Sequence, residues 1–186
     1  MDCAFTADGR TVVACAVVLE RTAGGKPAVA ETRTARRPVR FPYVPGLLSF
    51  REAPACLAAA AKLARRPDVF MIDGQGIAHP RRLGLACHLG LFLDSPTIGC
   101  AKSRLVGDYR PPGTEKGSRS RLADRGAVIG AVVRTRANVK PVFVSVGHRC
   151  SLDDAVRIVL EWTTRYRLPE PTRLAHILVG RARAGG

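Results

Sequence analysis

The longest uninterrupted apolar run in this chain is Val12 to Leu19, VVACAVVL, eight residues that are small, β-branched or leucine. A membrane-spanning helix needs about 20 such residues, so a membrane protein is excluded as a reading. A run this short and this rich in valine reads instead as a strand buried in a sheet. With Thr11 it forms TVVACAVVL. The turn residues Arg21 to Pro27 (RTAGGKP) follow, and the alternating Val29 to Thr34 reads as the returning strand of a hairpin. A chain that opens on a hairpin of this kind commits its first part to a sheet. What comes next decides the fold class.

Further along, strands alternate with helices. Pro42 to Gly46 holds two prolines and reads as neither regular helix nor central strand. Pro54 suits the first turn of a helix, and the Ala-rich run from there to Arg66 is that helix, stopped by Pro67. Asp68 to Asp73 (DVFMID) is a buried strand closing on an acid, followed by Gly74-Gln75-Gly76. Arg81 to Leu93 places Leu85, His88, Leu89 and Phe92 on one helical face. Thr97 to Ala101, Ala127 to Arg134 and Pro141 to Val146 read as strands, and Leu105 to Gly117 as a surface loop. Ser151-Leu152-Asp153-Asp154 resembles a capping box and opens a helix to about Tyr166. A last helix begins at Pro169 to Pro171 and runs towards Arg183. The order predicts one α/β domain, a mixed sheet flanked by helices.

At 186 residues the chain matches a single domain by the rough prior of about 150 residues each. Its thirty Lys and Arg against fifteen Asp and Glu leave a net charge of +15. A surplus of this size favours a polyanionic partner, because each neutralised phosphate releases counterions. An arginine-biased chain whose charge is merely solvated is the alternative. The six cysteines include no C-x-x-C pair, so a zinc ribbon is unsupported. Met1 to Phe5 has no basic segment leading into an apolar one and does not read as a signal peptide. Free thiols in a reducing cytoplasm are the expectation.

Three acids stand out by context: Asp2 ahead of a strand, Glu52 after the proline loop, and Asp73 at the end of a buried strand. Acids far apart in sequence but carried at neighbouring strand ends can share a hard cation such as Mg²⁺. The alternatives are a terminal acid, a helix-start charge stabilised by the dipole and a turn residue. Lys102, closing an apolar strand, could stabilise charge on a scissile phosphate or simply be a solvated strand end. His88 falls on an apolar face and reads as a packed histidine. Gly74-Gln75-Gly76 lacks the G-K-[ST] ending of a P-loop.

Read together, several segments resemble the endonuclease V family, the deoxyinosine 3′ endonucleases. They are Pro42 to Glu52 (PYVPGLLSFRE), Asp73 to Gly84 (DGQGIAHPRRLG) and Pro96 to Ser103 (PTIGCAKS). Gly147-His148-Arg149 and Leu168 to His176 (LPEPTRLAH) add to them. The resemblance runs from Asp2 nearly to the C-terminus. It implies a ribonuclease-H-like fold and Mg²⁺-dependent cleavage, with Mn²⁺ as a substitute, at the second phosphodiester 3′ to a deaminated adenine. By that analogy Asp2 and Asp73 are metal ligands, Glu52 is the third acid of the centre, and Lys102 stands near the scissile phosphate. The loop Pro42, Tyr43, Val44 and Pro45 matches the wedge that enters the duplex beside the lesion. Gly46, Leu48, Gly74, Gly76, His79, Gly99 and Leu105 are the expected base-binding positions, and His176 is an outer member of the centre.

Two further expectations follow. Backbone groups near Gly74 and Gly76 are expected to read hypoxanthine, whose N1–H and O6 reverse the donor and acceptor of adenine. Arg110, Lys116 and Arg119 are expected to track the nucleic-acid backbone. The chain departs from the family at its start, where Asp2 is the second residue. The expectation is a domain lacking the family's N-terminal segment, with a short first strand and a frayed Asp2. Either the true start lies upstream or the metal is bound poorly. The implied partner is deoxyinosine-containing DNA, bound by a monomer. The alternatives are inosine-containing RNA as substrate and a catalytically weak nucleic-acid-binding module.

Overall fold

The computed structural model describes residues 1–184. The opening hairpin is longer than its apolar run. Strand β1 (Asp2–Phe5) pairs antiparallel with β2 (Thr11–Arg21), which pairs antiparallel with β3 (Pro27–Pro38). A second sheet has the order β4 (Phe70–Ile72), β5 (Thr97–Ala101), β8 (Val142–His148), β7 (Ala127–Val133), β6 (Arg119–Asp124). Within it β4 and β5 run parallel and the other pairs antiparallel. The two sheets meet edge to edge at Met1. Its nitrogen donates to the Met71 carbonyl at 2.8 Å, and its carbonyl accepts from the Asp73 N–H at 3.0 Å.

Helices cover both faces, and period-two alternation decides which side chains each helix meets. Val12, Ala14 and Ala16 of β2 pack with Ala53, Cys56 and Ala59 of α1 (Ser49–Ala60) and with Leu85 and Leu89 of α2 (Leu85–Leu93). Val13 and Cys15 point the other way, onto Val179 of α4 (Glu170–Ala184). On that second face Met71, Ile98, Cys100, Val142 and Val144 meet Ala155, Val156 and Val159 of α3 (Leu152–Glu161). A strand buried on both sides cannot alternate with polar residues, which is why β2 reads as an unbroken apolar run. The mixed sheet flanked by helices is the architecture expected from the order of elements. Among the described residues no helix is long and apolar enough to cross a membrane.

Several boundaries differ from the sequence reading. Helix α1 begins at Ser49 rather than Pro54, so Pro54 lies inside it, and it ends at Ala60 rather than Arg66. Backbone bonds from Arg51 and Glu52 to the Leu48 carbonyl open the helix ahead of the proline. Proline lacks an N–H, so the Phe50 carbonyl has no helical partner there. Helix α2 starts at Leu85, after a loop, rather than at Arg81, and α3 stops at Glu161 rather than Tyr166. Strand β6 was not expected: in Arg119–Asp124 only Leu122 is buried, as befits a charged edge strand. Ser151 caps α3 as expected, its Oγ accepting from the Asp154 N–H at 3.0 Å.

The loop after β4 is held so closely against the sheet that two glycines become obligatory. A Cβ on Gly76 would stand 2.0 Å from the Val146 carbonyl oxygen, and one on Gly99 would stand 2.4 Å from the Gly76 nitrogen. Both backbone groups of Gly76 are also hydrogen-bonded. Its N–H donates to Ser145 Oγ at 2.8 Å and its carbonyl accepts from the Gly84 N–H at 3.0 Å. Gly76 is therefore needed for packing; its N–H is taken by Ser145, while its carbonyl keeps a second lone pair beside the bond from Gly84. Gly76→Ala and Gly99→Ala are each expected to cost about 3 kcal/mol or more, or to prevent folding. Gly24→Ala, in an open turn, should stay within about 0.5 kcal/mol. Thermal denaturation of the three variants checks this.

Candidate metal centre

The register of β1 on β2 sets the direction of its acid. Asp2 lies opposite Cys15 and so points to the α4 face, whereas Cys3 lies opposite Ala14 and points to the α1 face. Asp73 continues the alternation of Met71, and Lys102 that of Ile98 and Cys100, all on the side of α3 and α4. Three functional side chains from three strand ends thus emerge on one face. Helix α4 brings His176 to meet them.

The distances are short. Asp2 Oδ2 is 2.8 Å from His176 Nδ1, and Asp73 Oδ2 is 3.9 Å from the same nitrogen. Lys102 Nζ is 2.5 Å from Asp73 Oδ2, an ion contact without the alignment of a hydrogen bond, and 3.2 Å from His176 Nδ1. The other oxygen of Asp2 accepts from the Cys3 N–H at 2.8 Å. Asp2 is only 8% exposed, so the expected fraying is not what the structure shows. Ligand atoms of Asp2, Asp73 and His176 all lie within 4.8 Å of one another. His176, expected as an outer member, is in direct contact with an acid of the centre. His176 Nδ1 sits between a carboxylate and an ammonium, so it either donates to Asp2 or accepts from Lys102.

Glu52 comes from the opposite face and stands outside that group of three among the described residues. It is still electrically part of the site. Burial, chiefly, pushes its carboxyl up to about 7, with Asp2 and Asp73 adding to the rise and a hydrogen bond with Cys3 and the charge of Arg51 opposing it. Asp73 is raised as well, first by burial and then by Asp2, against the opposing pull of Lys102 and His176. Asp2 and Asp73, facing each other with Lys102 and His176 beside them, form a donor set that suits a divalent ion. Carboxylate oxygens are the ligands Mg²⁺ prefers, and its charge would relieve their repulsion.

Tyr43 is 70% exposed on the proline loop. A turn from the Leu47 N–H to the Val44 carbonyl and the positive φ of Gly46 shape that loop. The Arg51 guanidinium lies over the ring of Phe5 at 4.7 Å and that of Tyr43 at 5.8 Å, bracing the loop against β1. The expected base-binding positions are dispersed in role. Gly46 approaches Arg81, whose N–H donates to Nδ1 of the buried His79. Gly74, Gly76 and Gly99 pack on one another, while Leu48 and Leu105 are exposed. Of the three cations expected to track a phosphate backbone, Lys116 is tied to the Thr163 carbonyl and Arg119 to Asp153. Arg110 alone of them is exposed without a partner among the described residues.

Sequence reasoning missed three supporting residues. Cys3 eases the rise of the Glu52 carboxyl, Arg51 braces Tyr43, and Arg167 donates to the carbonyls of Lys102 and Pro141, pinning the end of β5. No spacing rule marks them, because each partner is distant along the chain.

Paired acids and a lysine at neighbouring strand ends, beside an exposed aromatic on a rigid loop, make a site suited to phosphate chemistry. Comparison with known proteins narrows this. Residues 1–177 match the family model described as Endonuclease V. The chain belongs to the endonuclease V family. It is 54% identical over 149 residues to Endonuclease V of Dictyoglomus turgidum, covering 80% of this chain and 65% of that protein. The chain therefore spans just under two thirds of that relative's length. The crystal structure of Endonuclease V from Streptomyces avermitilis is 48% identical, covering 97% of this chain and 78% of that one, with a TM-score of 0.91. Endonuclease V of Ciona intestinalis is 29% identical, covering 97% of this chain and 83% of that one, with a TM-score of 0.77. That protein was crystallised with a 24mer DNA containing an inosine followed by a ribo-adenosine.

The raised carboxyl of Glu52 has a consequence for stability. It loses its proton near 4.5 in the unfolded chain and at about 7 in the fold. Between those values the fold holds the extra proton, so metal-free stability falls as pH rises and levels off above about 7. The decline attributable to Glu52 is of order 3 kcal/mol. Glu52→Gln should flatten it. Mg²⁺, favouring the ionised acids, should raise the melting temperature more at pH 8 than at pH 5. Melting curves across that range with and without the ion test both.

Proposed function

We propose that this protein is a divalent-cation-dependent endonuclease, using Mg²⁺ with Mn²⁺ as a substitute, that nicks DNA at deoxyinosine. The cut is placed at the second phosphodiester 3′ to the lesion, by the family resemblance. The observation that carries the reading is the convergence of Asp2, Asp73, His176 and Lys102 on one sheet face. The Ciona intestinalis relative with its inosine-containing DNA supports the substrate class.

Asp2 and Asp73 would hold the ion, with His176 as third ligand. When bound, the ion neutralises phosphate oxygens and makes a nucleophile of water at neutral pH. Lys102, at the end of β5 beside Asp73, would stabilise the charge that develops on the scissile phosphate. Glu52, with its carboxyl near neutrality, can orient the attacking water or take its proton. Tyr43 fills the gap left by an extruded base, offsetting part of the few kcal/mol that unstacking costs. Gly46, Leu48, Gly74, Gly76, His79, Gly99 and Leu105 are the proposed surroundings of that base. A second reading, inosine-containing RNA as substrate, draws on the ribo-adenosine that follows the inosine in the Ciona oligonucleotide.

Oligonucleotides carrying one inosine, in duplex DNA and in RNA, separate the readings when incubated with Mg²⁺ or with EDTA. A nick one phosphodiester beyond the neighbouring nucleotide linkage, lost in EDTA and in Asp73→Ala, is the expected result. Lys102→Ala should lower kcat about a hundredfold or more with a smaller change in KM. Binding without nicking, or an Asp73→Ala variant that still nicks, would overturn the assignment.

A further inference from the structure

Beside the proline loop lies a groove that the chemistry above does not use. It has a volume of about 500 Å³ and runs between the end of β3 and the start of α1. Arg37, Arg40, Phe41, Phe50 and Arg51 line it, together with two prolines and no acid. Phe41 and Phe50 are stacked, their centroids 5.2 Å apart and their planes 25° from parallel. Phe50 in turn packs edge-on against His88 at 4.7 Å, and His88 leans on Phe92 at 5.5 Å. The rings are thus held from behind while Phe50 remains 39% exposed. Arg37 and Arg40 are exposed, and among the described residues neither meets a carboxylate.

We infer that this groove holds unpaired nucleotides of a strand opened at Tyr43, with bases on Phe41 and Phe50 and phosphates on Arg37 and Arg40. The inference rests on the nucleic-acid partner proposed above and adds a second contact to it. An aromatic floor with arginines along its rim is what a single strand needs. Every base has a face to stack, and every linkage carries a charge to neutralise. An apolar protein segment would leave the guanidinium groups desolvated and unpaired. A second copy of a chain with net charge +15 would meet repulsion. The groove is also continuous with the proline loop. Phe41 stands two residues before Tyr43, and Arg51 lines the groove while lying over the Tyr43 ring. Nucleotides that lose their partners beside the loop have this groove as the neighbouring surface.

The test uses the full chain in EDTA, with inosine-free probes. One probe is a blunt duplex, and others carry an unpaired extension in DNA or in RNA with 2-aminopurine within it. The wild type should quench 2-aminopurine and bind the extended probes more tightly than the blunt one. Phe41→Ala should weaken the extended probes about tenfold and the blunt duplex by less than about twofold, and should abolish quenching. Phe41→Tyr should restore both. Arg40→Ala, at an exposed position, should lower the slope of log affinity against log salt by about one for the extended probes. Loss with the DNA probe, the RNA probe or both supports the groove and names its source. Equal loss on blunt and extended probes, or quenching that survives Phe41→Ala, overturns it. A concentration-dependent dimer abolished by Phe41→Ala would assign the groove to a second copy instead. Because no probe contains inosine and none is cleaved, failure here leaves the nicking result standing, and failure to nick leaves this result standing.

Discussion

The site depends on two carboxylates held close together in a place that water scarcely reaches. Asp2 is buried where the two sheets meet, and Asp73 leaves β4 one residue after its last ladder position. Left alone, such a pair repels. Lys102 and His176 sit against it and supply the opposing charge and the hydrogen bond. The cost appears on Glu52 and Asp73, whose carboxyls are pushed up by burial and by their neighbours. A centre under this tension gains from a divalent cation, and the same tension makes its proton affinity respond to one.

Precision in the centre comes from backbone pairing more than from local side-chain packing. Hydrogen bonds between Met1 and the backbone of Met71 and Asp73 tie β1 to β4. Register then sends Asp2 to the α4 face and Cys3 to the α1 face. A slip of one residue would exchange them, so the pairing of Asp2 with Cys15 is as much a part of the site as the carboxylate. Behind it, Gly76 and Gly99 let the loop after β4 lie directly on β5 and β8. Arg167 pins the end of β5 that carries Lys102. These are supports built on rigid elements, the arrangement that holds reacting groups to within fractions of an ångström.

A different part of the molecule carries the proposed contact with nucleic acid. The proline loop exposes Tyr43, and the adjoining groove adds stacked phenylalanines and arginines. Several other arginines are consumed internally: Arg66 on Ser95, Arg134 on Pro112 and Gly113, Arg167 on Lys102 and Pro141. Net charge therefore overstates the surface available to a polyanion. Positive charge without a carboxylate beside it, next to an aromatic, is the more telling feature.

Much of this was legible in the linear chain. The apolar β2 run, the acid ending DVFMID, the proline-bounded tyrosine and the Ser151 cap are local patterns with local causes. The family's motifs are contiguous stretches that carry Asp73, Glu52 and Lys102 with them. Other features had no local cause. Strand β6 is charged along its length and becomes a strand only because β7 offers it an edge. The packing of Gly76 against the Val146 carbonyl is one such feature, since it joins residues on separate elements. The face on which each acid emerges follows from inter-strand register, and the contact of His176 with Asp2 joins residues 174 positions apart. The sequence alone determined which residue types were present and which elements would carry them. Only the tertiary structure decided which of them met, because contacts between distant strands and helices depend on pairing and packing that no short window of residues contains.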